Sequence, residues 1–316
     1  MQAFDSYFNI CLRLVTALLA IGTNVLIVYT IQRFPRLRAK PYNGLISILA
    51  IADLFVGAGL LIRVVESIVR EFQGQTMYST RACTMLGALH LFGYHMNQMA
   101  ILVIAADRLY AVLSPIEYKN RDPTPYVLRS FFIVLIPAIV GIAIRLSELE
   151  FEDDQTDVCN LSTTNIDGLF ARFWWTPFFI GISIAIFIIY GATICVIRKG
   201  FRAEGSEREF SRQRKVFVTI SLVLLTYICC TMMPAVFVSI GVYARADPSW
   251  FSAVCIYGGL VSGLNSASNI FIYGWKYEEL RNGMIQVVTC RPATIQRENS
   301  SYNVLNKQAR RDDVFL

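Results

Sequence analysis

Seven stretches of this chain are apolar over too great a length to be elements of a water-soluble domain. They fall at about 9–31, 43–69, 84–113, 127–146, 173–197, 216–243 and 250–274. A hydrocarbon core is ~30 Å thick, and a helix of about 20 apolar residues crosses it. Inside lipid a backbone must satisfy its own polar groups, which leaves the helix as the element for such runs. The chain has 316 residues, 55% of them hydrophobic, with mean hydropathy +0.48, so the blocks leave no room for a separate soluble domain. The fold class implied is an all-α membrane protein, a seven-transmembrane helix bundle with a short amphipathic eighth helix. Residues 1–8 read as a polar terminus without the basic start of a cleaved signal peptide. Residues 9–289 read as the membrane domain, and 290–316 as a polar tail.

Lys and Arg in the short loops set the orientation. Arg33, Arg36, Arg38 and Lys40 follow the first block, Lys119 and Arg121 the third, and seven basic residues lie in 198–215 after the fifth. The loop after the fourth block instead holds Glu148, Glu150, Glu152, Asp153, Asp154, Asp157 and Asp167. The N-terminus is therefore expected outside and the tail in the cytoplasm. The net charge of +6 is a cytoplasmic rim facing anionic lipid and needs no nucleic acid.

The third block ends in Asp107, Arg108 and Tyr110. Eighteen residues are five helical turns, so His90 and Arg108 share a face, with Tyr94, Asn97 and Ile101 near it. An ionisable pair closing an apolar helix is either a functional site or a cap in the headgroup zone, and both readings stay open. Asp53 sits in the middle of the second block, where a carboxylate needs polar neighbours. Asn24, Asn97, Asn265, Ser266 and Asn269 lie at comparable depth. Arg63 and Glu66, three apart, form either a structural salt bridge or the wall of an outer cavity. Trp174 and Trp175 open the fifth block, as an interfacial belt or as ligand contacts. Pro234 kinks the sixth block, which makes its inner half a lever arm.

Of the eight cysteines, Cys83 and Cys159 face the oxidising side and make a natural disulfide pair. Asn160 opens a glycosylation sequon beside Cys159. Cys290 follows the amphipathic segment at a distance suited to lipidation. Two histidines and scattered acids have no metal-site or nucleophile spacing, so no enzyme, metal or cofactor is expected.

Taken in order, the motifs resemble the rhodopsin-like G-protein-coupled receptors over about residues 8–290. They are "GTNVLI" at 22–27, "LAIADL" at 49–54, Cys83 25 residues before Arg108, "DRLYAV" at 107–112, Pro234, and "NSASNIFIY" at 265–273. The departures are Leu109 and Tyr110 in a shifted triplet, Ile270 for the seventh-span proline, Met232 for the toggle tryptophan, and Arg214 where many members have an acid. With the short termini and loops, these look similar to the nematode chemosensory serpentine receptors of the SX class.

The resemblance implies a two-state receptor for an extracellular small molecule or short peptide, coupled to a heterotrimeric G protein. Asp107, Arg108, Tyr110, Met232, Pro234, Asn269 and Tyr273 would carry coupling and activation. Asp53, Asn97, Asn265, Ser266 and Asn24 would form a polar core with a candidate sodium site. Arg63, Glu66, His90, Tyr94, Trp174 and Trp175 would line the ligand pocket. His90 stands where amine receptors carry an acid, which counts against a simple amine. No lysine lies inside a span, which excludes an opsin. The expected location is the plasma membrane, sensory cilia included, with the lipid bilayer and arrestin as further partners. A neuropeptide receptor is the nearer alternative. A transporter or channel is the rival from another class, though the internal repeats it would show are absent.

Overall fold

A computed structural model describes residues 2–74, 78–151, 155–156, 169–203, 222, 225–244 and 248–290. Five helices among these are long and apolar enough to cross a membrane: Tyr7–Arg33, Pro41–Gln73, Arg81–Leu113, Pro123–Ser147 and Phe170–Arg198. A shorter apolar helix covers Leu225–Gly241, and a 29-residue helix covers Pro248–Lys276. An 11-residue helix, Glu278–Val288, follows.

Proline sets the starts. It occupies the first helical position at Pro41, Pro115 and Pro123, where its missing N–H costs nothing. Asp122 caps the fourth helix by accepting the Thr124 N–H at 3.0 Å. Gly74 ends the second helix at φ +64°, a conformation glycine adopts without strain. At the other end of the chain the first helix begins at Gln2, so the stretch 1–8 read as a polar terminus is helical from residue 2. No proline or glycine interrupts Gln2–Ile10, and a nucleated helix propagates at little cost.

The second and third helices pack backbone to backbone. A Cβ on Gly59 would come within 2.5 Å of the His90 nitrogen, and one on Gly93 within 2.6 Å of the Val56 nitrogen. Such small-residue contacts let helices associate where lipid supplies no hydrophobic drive. Outward-facing Ile133, Ile136, Ile139, Ile184 and Ile188 are exposed, as a surface bathed in acyl chains requires. Tyr78–Ser79 and Gln155–Thr156 pair as a two-stranded antiparallel ribbon.

Two turns are wider than α. The π segments Phe170–Trp175 and Ile228–Met232 each end two residues before a proline, Pro177 and Pro234. Proline cannot donate to the carbonyl one turn back, and a widened turn is where the ladder re-registers. The kink expected at Pro234 is thus a π turn leading into it.

Candidate functional site

The third helix carries the site along its length. At its C-terminal end Asp107 is buried and collects three partners. The Arg108 Nε donates to Oδ2 at 3.0 Å, the Tyr118 hydroxyl donates to Oδ2 at 3.1 Å, and the Tyr126 hydroxyl donates to Oδ1 at 2.8 Å. The Tyr118 hydroxyl also accepts from Arg108 at 2.9 Å, one donor and one acceptor role on a single oxygen. Burial pushes the Tyr118 phenol well above its ordinary range, so it keeps the proton it donates. The Arg108 guanidinium also lies 5.2 Å from the Tyr42 ring centroid and 5.9 Å from that of Tyr118. Tyr42 leans on Tyr277 at 5.3 Å. Tyr110 faces elsewhere: its hydroxyl donates to Glu117 at 3.1 Å, and Arg121 covers its ring at 4.6 Å.

Halfway along, Asp53 gathers three neutral donors from two helices. Asn97 Nδ2 and the Ser266 hydroxyl each donate to Oδ1 at 2.6 Å, and Asn269 Nδ2 donates to Oδ2. Asn24 reaches this cluster indirectly, donating to the Ser266 carbonyl at 2.9 Å and the Ala20 carbonyl at 2.8 Å. Asn265 does not bond Asp53. With Asn97, Asn269, Tyr227 and Tyr273 it walls a cavity of about 20 Å³, room for a single water.

Towards the N-terminal end of the third helix a second cavity, about 30 Å³, lies between His90, Tyr94, Trp175, Pro234, Val238 and Ser262. Tyr94 stacks on Trp175 at 5.4 Å and tilts against Phe179 at 4.9 Å. His90 Nδ1 lies 3.3 Å from the Val56 carbonyl, which can only accept, so Nδ1 carries the proton and Nε2 is the ring's acceptor.

The six expected pocket residues are therefore not one set. His90, Tyr94 and Trp175 line the cavity. Trp174 stands behind it and donates to His95 Nε2 at 3.1 Å, while His95 Nδ1 donates to the Leu91 carbonyl at 2.9 Å. The two bonds fix His95 as the neutral Nδ1–H tautomer. Neither tryptophan belongs to a lipid-facing belt, since the π turn brings Trp175 inside and leaves Phe173 exposed. Arg63 and Glu66 pair at 3.5 Å away from the cavity, with Arg63 3.7 Å from the Cys83 sulfur. Glu66 also pairs with Arg70 and walls a separate open groove with Val65, Val69 and Leu86.

Cys83 is disulfide-bonded, whereas Cys159 and Asn160 lie outside the described residues. Cys290 is a free, exposed thiol just past the last helix. Met232 ends the π turn and packs against the inner core, next to Pro234 on the outer cavity.

A family model of serpentine-type seven-transmembrane G-protein-coupled chemoreceptors, Srsx, matches residues 17–288. The chain belongs to that family. This Srsx receptor is 21% identical to the somatostatin receptor type 1 of Rattus norvegicus over 280 residues, 87% of this chain and 70% of that one. It is 26% identical to the trace amine-associated receptor 3 of Rattus norvegicus over 295 residues, 88% and 83% of the two chains. It is 24% identical to the trace amine-associated receptor 13c of Danio rerio over 287 residues, 85% and 82%. Family and relatives are receptors rather than enzymes, and with its apolar helices the Srsx receptor is a multi-pass membrane protein. An extracellular ligand and a heterotrimeric G protein are the partners such a family implies.

Several residues escaped the sequence reading of this Srsx receptor. Tyr118 and Tyr126 hold Asp107 from across two turns. Arg145 is buried and donates to Thr84 at 3.0 Å and Glu148 at 2.9 Å, and Glu148 also accepts the Phe170 N–H that opens the π turn. Gln98, Ser183 and Tyr227 bond one another in mid-bundle. A second amide directly after Asn97 was the available signal for Gln98.

Proposed function

We propose that the outer cavity binds a small extracellular molecule and that the inner end of the third helix activates a heterotrimeric G protein. The observation that carries this is the pair of buried Asp107 and half-buried Arg108, held by tyrosines on one end of a helix whose other end walls the cavity. Arg108 is charged at any physiological pH, and its restraint at rest is local to Asp107, Tyr118 and Tyr42. Release from them turns it towards a cytoplasmic partner. Exposed Leu113 and Ile116 beside it offer that partner an apolar contact.

The relatives' names point to a peptide and to amines. The described lining of the cavity carries no carboxylate to neutralise an amine, and at about 30 Å³ the cavity must widen to admit even a compact molecule. On this reading Asp53, Asn97, Asn265, Ser266, Asn269 and Asn24 are the hydrated core through which the change passes. A sodium ion suits the oxygens of Asp53 and Ser266, with Asn97 and Asn269 rotating their amides to face it. Tyr273 and the π turn at Met232 and Pro234 move with the change, and Tyr110 steadies the loop through Glu117.

We place the receptor in the plasma membrane with its N-terminus outside, in sensory cilia. Glu278–Val288 lies along the cytoplasmic surface, its exposed Ile285 and Val288 in lipid and Cys290 open to acylation. A Cys83–Cys159 bridge, a glycan on Asn160 and arrestin docking at the inner face complete the proposal. The test is expression with a second-messenger readout against odorant and peptide panels. Arg108→Ala should abolish the response at normal surface level, and an undiminished response refutes the assignment.

A further inference from the structure

One ion pair joins the third, fourth and fifth helices. Arg145 lies in the last turn of the fourth helix, and Glu148 is the residue that follows that helix. Arg145 is buried and Glu148 nearly so, with side-chain exposures of 4% and 13%. Both arms of the guanidinium are used. Nη1 donates to Glu148 Oε2 at 2.9 Å, and Nη2 donates to the Thr84 hydroxyl at 3.0 Å. Thr84 adjoins the disulfide-bonded Cys83 in the first turn of the third helix. Glu148 Oε1 is used as well: it accepts the N–H of Phe170, where the π turn Phe170–Trp175 begins. The first turn of a helix leaves such an N–H without an acceptor of its own.

Stability alone does not account for charges here, because well-packed apolar groups in place of a buried ion pair are often as stable or more so. What an apolar patch lacks is direction. A carboxylate bonded through both oxygens fixes where the Phe170 nitrogen sits and which way it points. Phe170 and Trp175 are five residues apart, one π turn, and their ring centroids lie 6.1 Å from each other. Both rings are buried, whereas Phe173 between them is exposed. Trp175 then meets Phe179 at 4.2 Å and Tyr94 at 5.4 Å, and walls the cavity with His90. A slip of one residue is about 100° of rotation on an α-helix and would carry Trp175 out of that wall. The rotation of this turn therefore decides which ring the cavity presents.

We propose that Glu148, aimed by Arg145, is a positioning residue for the cavity: it sets the rotation of the π turn and so holds Trp175 as the wall against which a ligand packs. Thr84 holds the guanidinium from the third helix, which also carries His90 and Tyr94. The two sides of the cavity, third helix and fifth, are thus kept in register through the end of the fourth. The ligand part of the inference rests on the receptor reading above, and the measurements separate the two.

The full chain in lipid nanodiscs is compared as wild type, Glu148→Gln, Glu148→Leu and Arg145→Met, each with and without Trp175→Phe. The difference within each pair is the signal of Trp175, read as acrylamide quenching of tryptophan fluorescence. Amide hydrogen exchange over 170–176 and the melting temperature are measured alongside. Glu148→Gln keeps an acceptor for the Phe170 N–H, so Trp175 should stay shielded although the melting temperature falls. Glu148→Leu has no acceptor, and Arg145→Met lets the carboxylate turn to water. Both should raise Trp175 quenching and speed exchange about tenfold, the low end for a hydrogen bond to a charged group. Unmoved quenching in whichever of these two variants folds overturns the proposal and leaves a purely structural pair. Quenching in Glu148→Gln as high as in Glu148→Leu overturns it too, since the acceptor would then not place the ring. Indole, benzaldehyde and phenylacetaldehyde serve as compact aromatic probes in a second-messenger assay. A half-maximal concentration raised in Glu148→Leu but not in Glu148→Gln, at an unchanged maximal response, supports the positioning role. A wild type silent to all three, with quenching as expected, keeps the placement of Trp175 and counts against the ligand reading alone.

Discussion

Tyr126→Phe is the sharpest probe of the inner end. It removes one oxygen and keeps the ring over which Arg121 lies at 4.4 Å. The lost bond, 2.8 Å to Asp107 Oδ1, is the one that oxygen receives from a side chain, because Arg108 and Tyr118 both bond Oδ2. A hydrogen bond to a charged group is worth about 1.5–3 kcal/mol, which corresponds to roughly a 10- to 150-fold change in an equilibrium. Tyr126 is only half-buried, so water reaches its end of the bond and the lower figure, about tenfold, applies. If the bond exists only at rest, ligand-free signalling rises towards that factor while the melting temperature falls by a few degrees. If it persists in both arrangements, the melting temperature falls and signalling does not move. Nucleotide loading and thermal denaturation on one detergent preparation separate the two outcomes. No change in either would mean that Tyr126 does not hold Asp107, and the inner restraint described above would be wrong.

Three other perturbations follow from the geometry. Gly141→Ala places a Cβ 2.6 Å from the Trp174 indole nitrogen and 2.8 Å from His95 Nε2, so it should break their bond and cost about 1–3 kcal/mol; tryptophan fluorescence during thermal unfolding reads it. Asp53→Ala strands the donors of Asn97, Ser266 and Asn269 in a buried site, at about 1–3 kcal/mol for each one left unmet, and Asp53→Asn should be milder; surface expression and melting temperature in parallel rank the two. Cys83→Ser opens the disulfide and should cost about 2–5 kcal/mol; dithiothreitol should lower the wild-type melting temperature and leave the variant unmoved.

The helices were legible because blocks of apolar residues admit one kind of element in lipid, and Asp53 because a mid-span carboxylate must find donors. Phases between helices were not legible. His90 and His95 are five residues apart, about 140° around one helix. One therefore faces the cavity and the other an aromatic box of Phe170, Trp174 and Phe178. No spacing rule says which neighbour each meets. Tyr118 and Tyr126 lie 11 and 19 positions beyond Asp107, past the turns at Pro115 and Pro123, and no helical period carries across such turns. The sequence left the two tryptophans between a belt and a pocket, because a π turn shifts the angular position of everything before Pro177. Arg63 and Glu66 were placed by depth alone, and depth does not say that they meet Cys83 and Arg70.

The partners of Arg108 explain why the sixth helix needs ties of its own. In the sequence Arg214 stands where many members of the family have an acid that would restrain Arg108. The contacts of Arg108 run to Asp107, Tyr118 and Tyr42, none of them on the sixth helix. A restraint of this kind keeps Arg108 folded back, and among the described residues its partners lie outside the sixth helix. The bonds of Tyr227 to Gln98 and Ser183 reach from the sixth helix to the third and fifth helices. Two separate restraints follow on this reading, one on the arginine and one on the helix. Releasing either alone should then give partial signalling, and releasing both should give more than their sum.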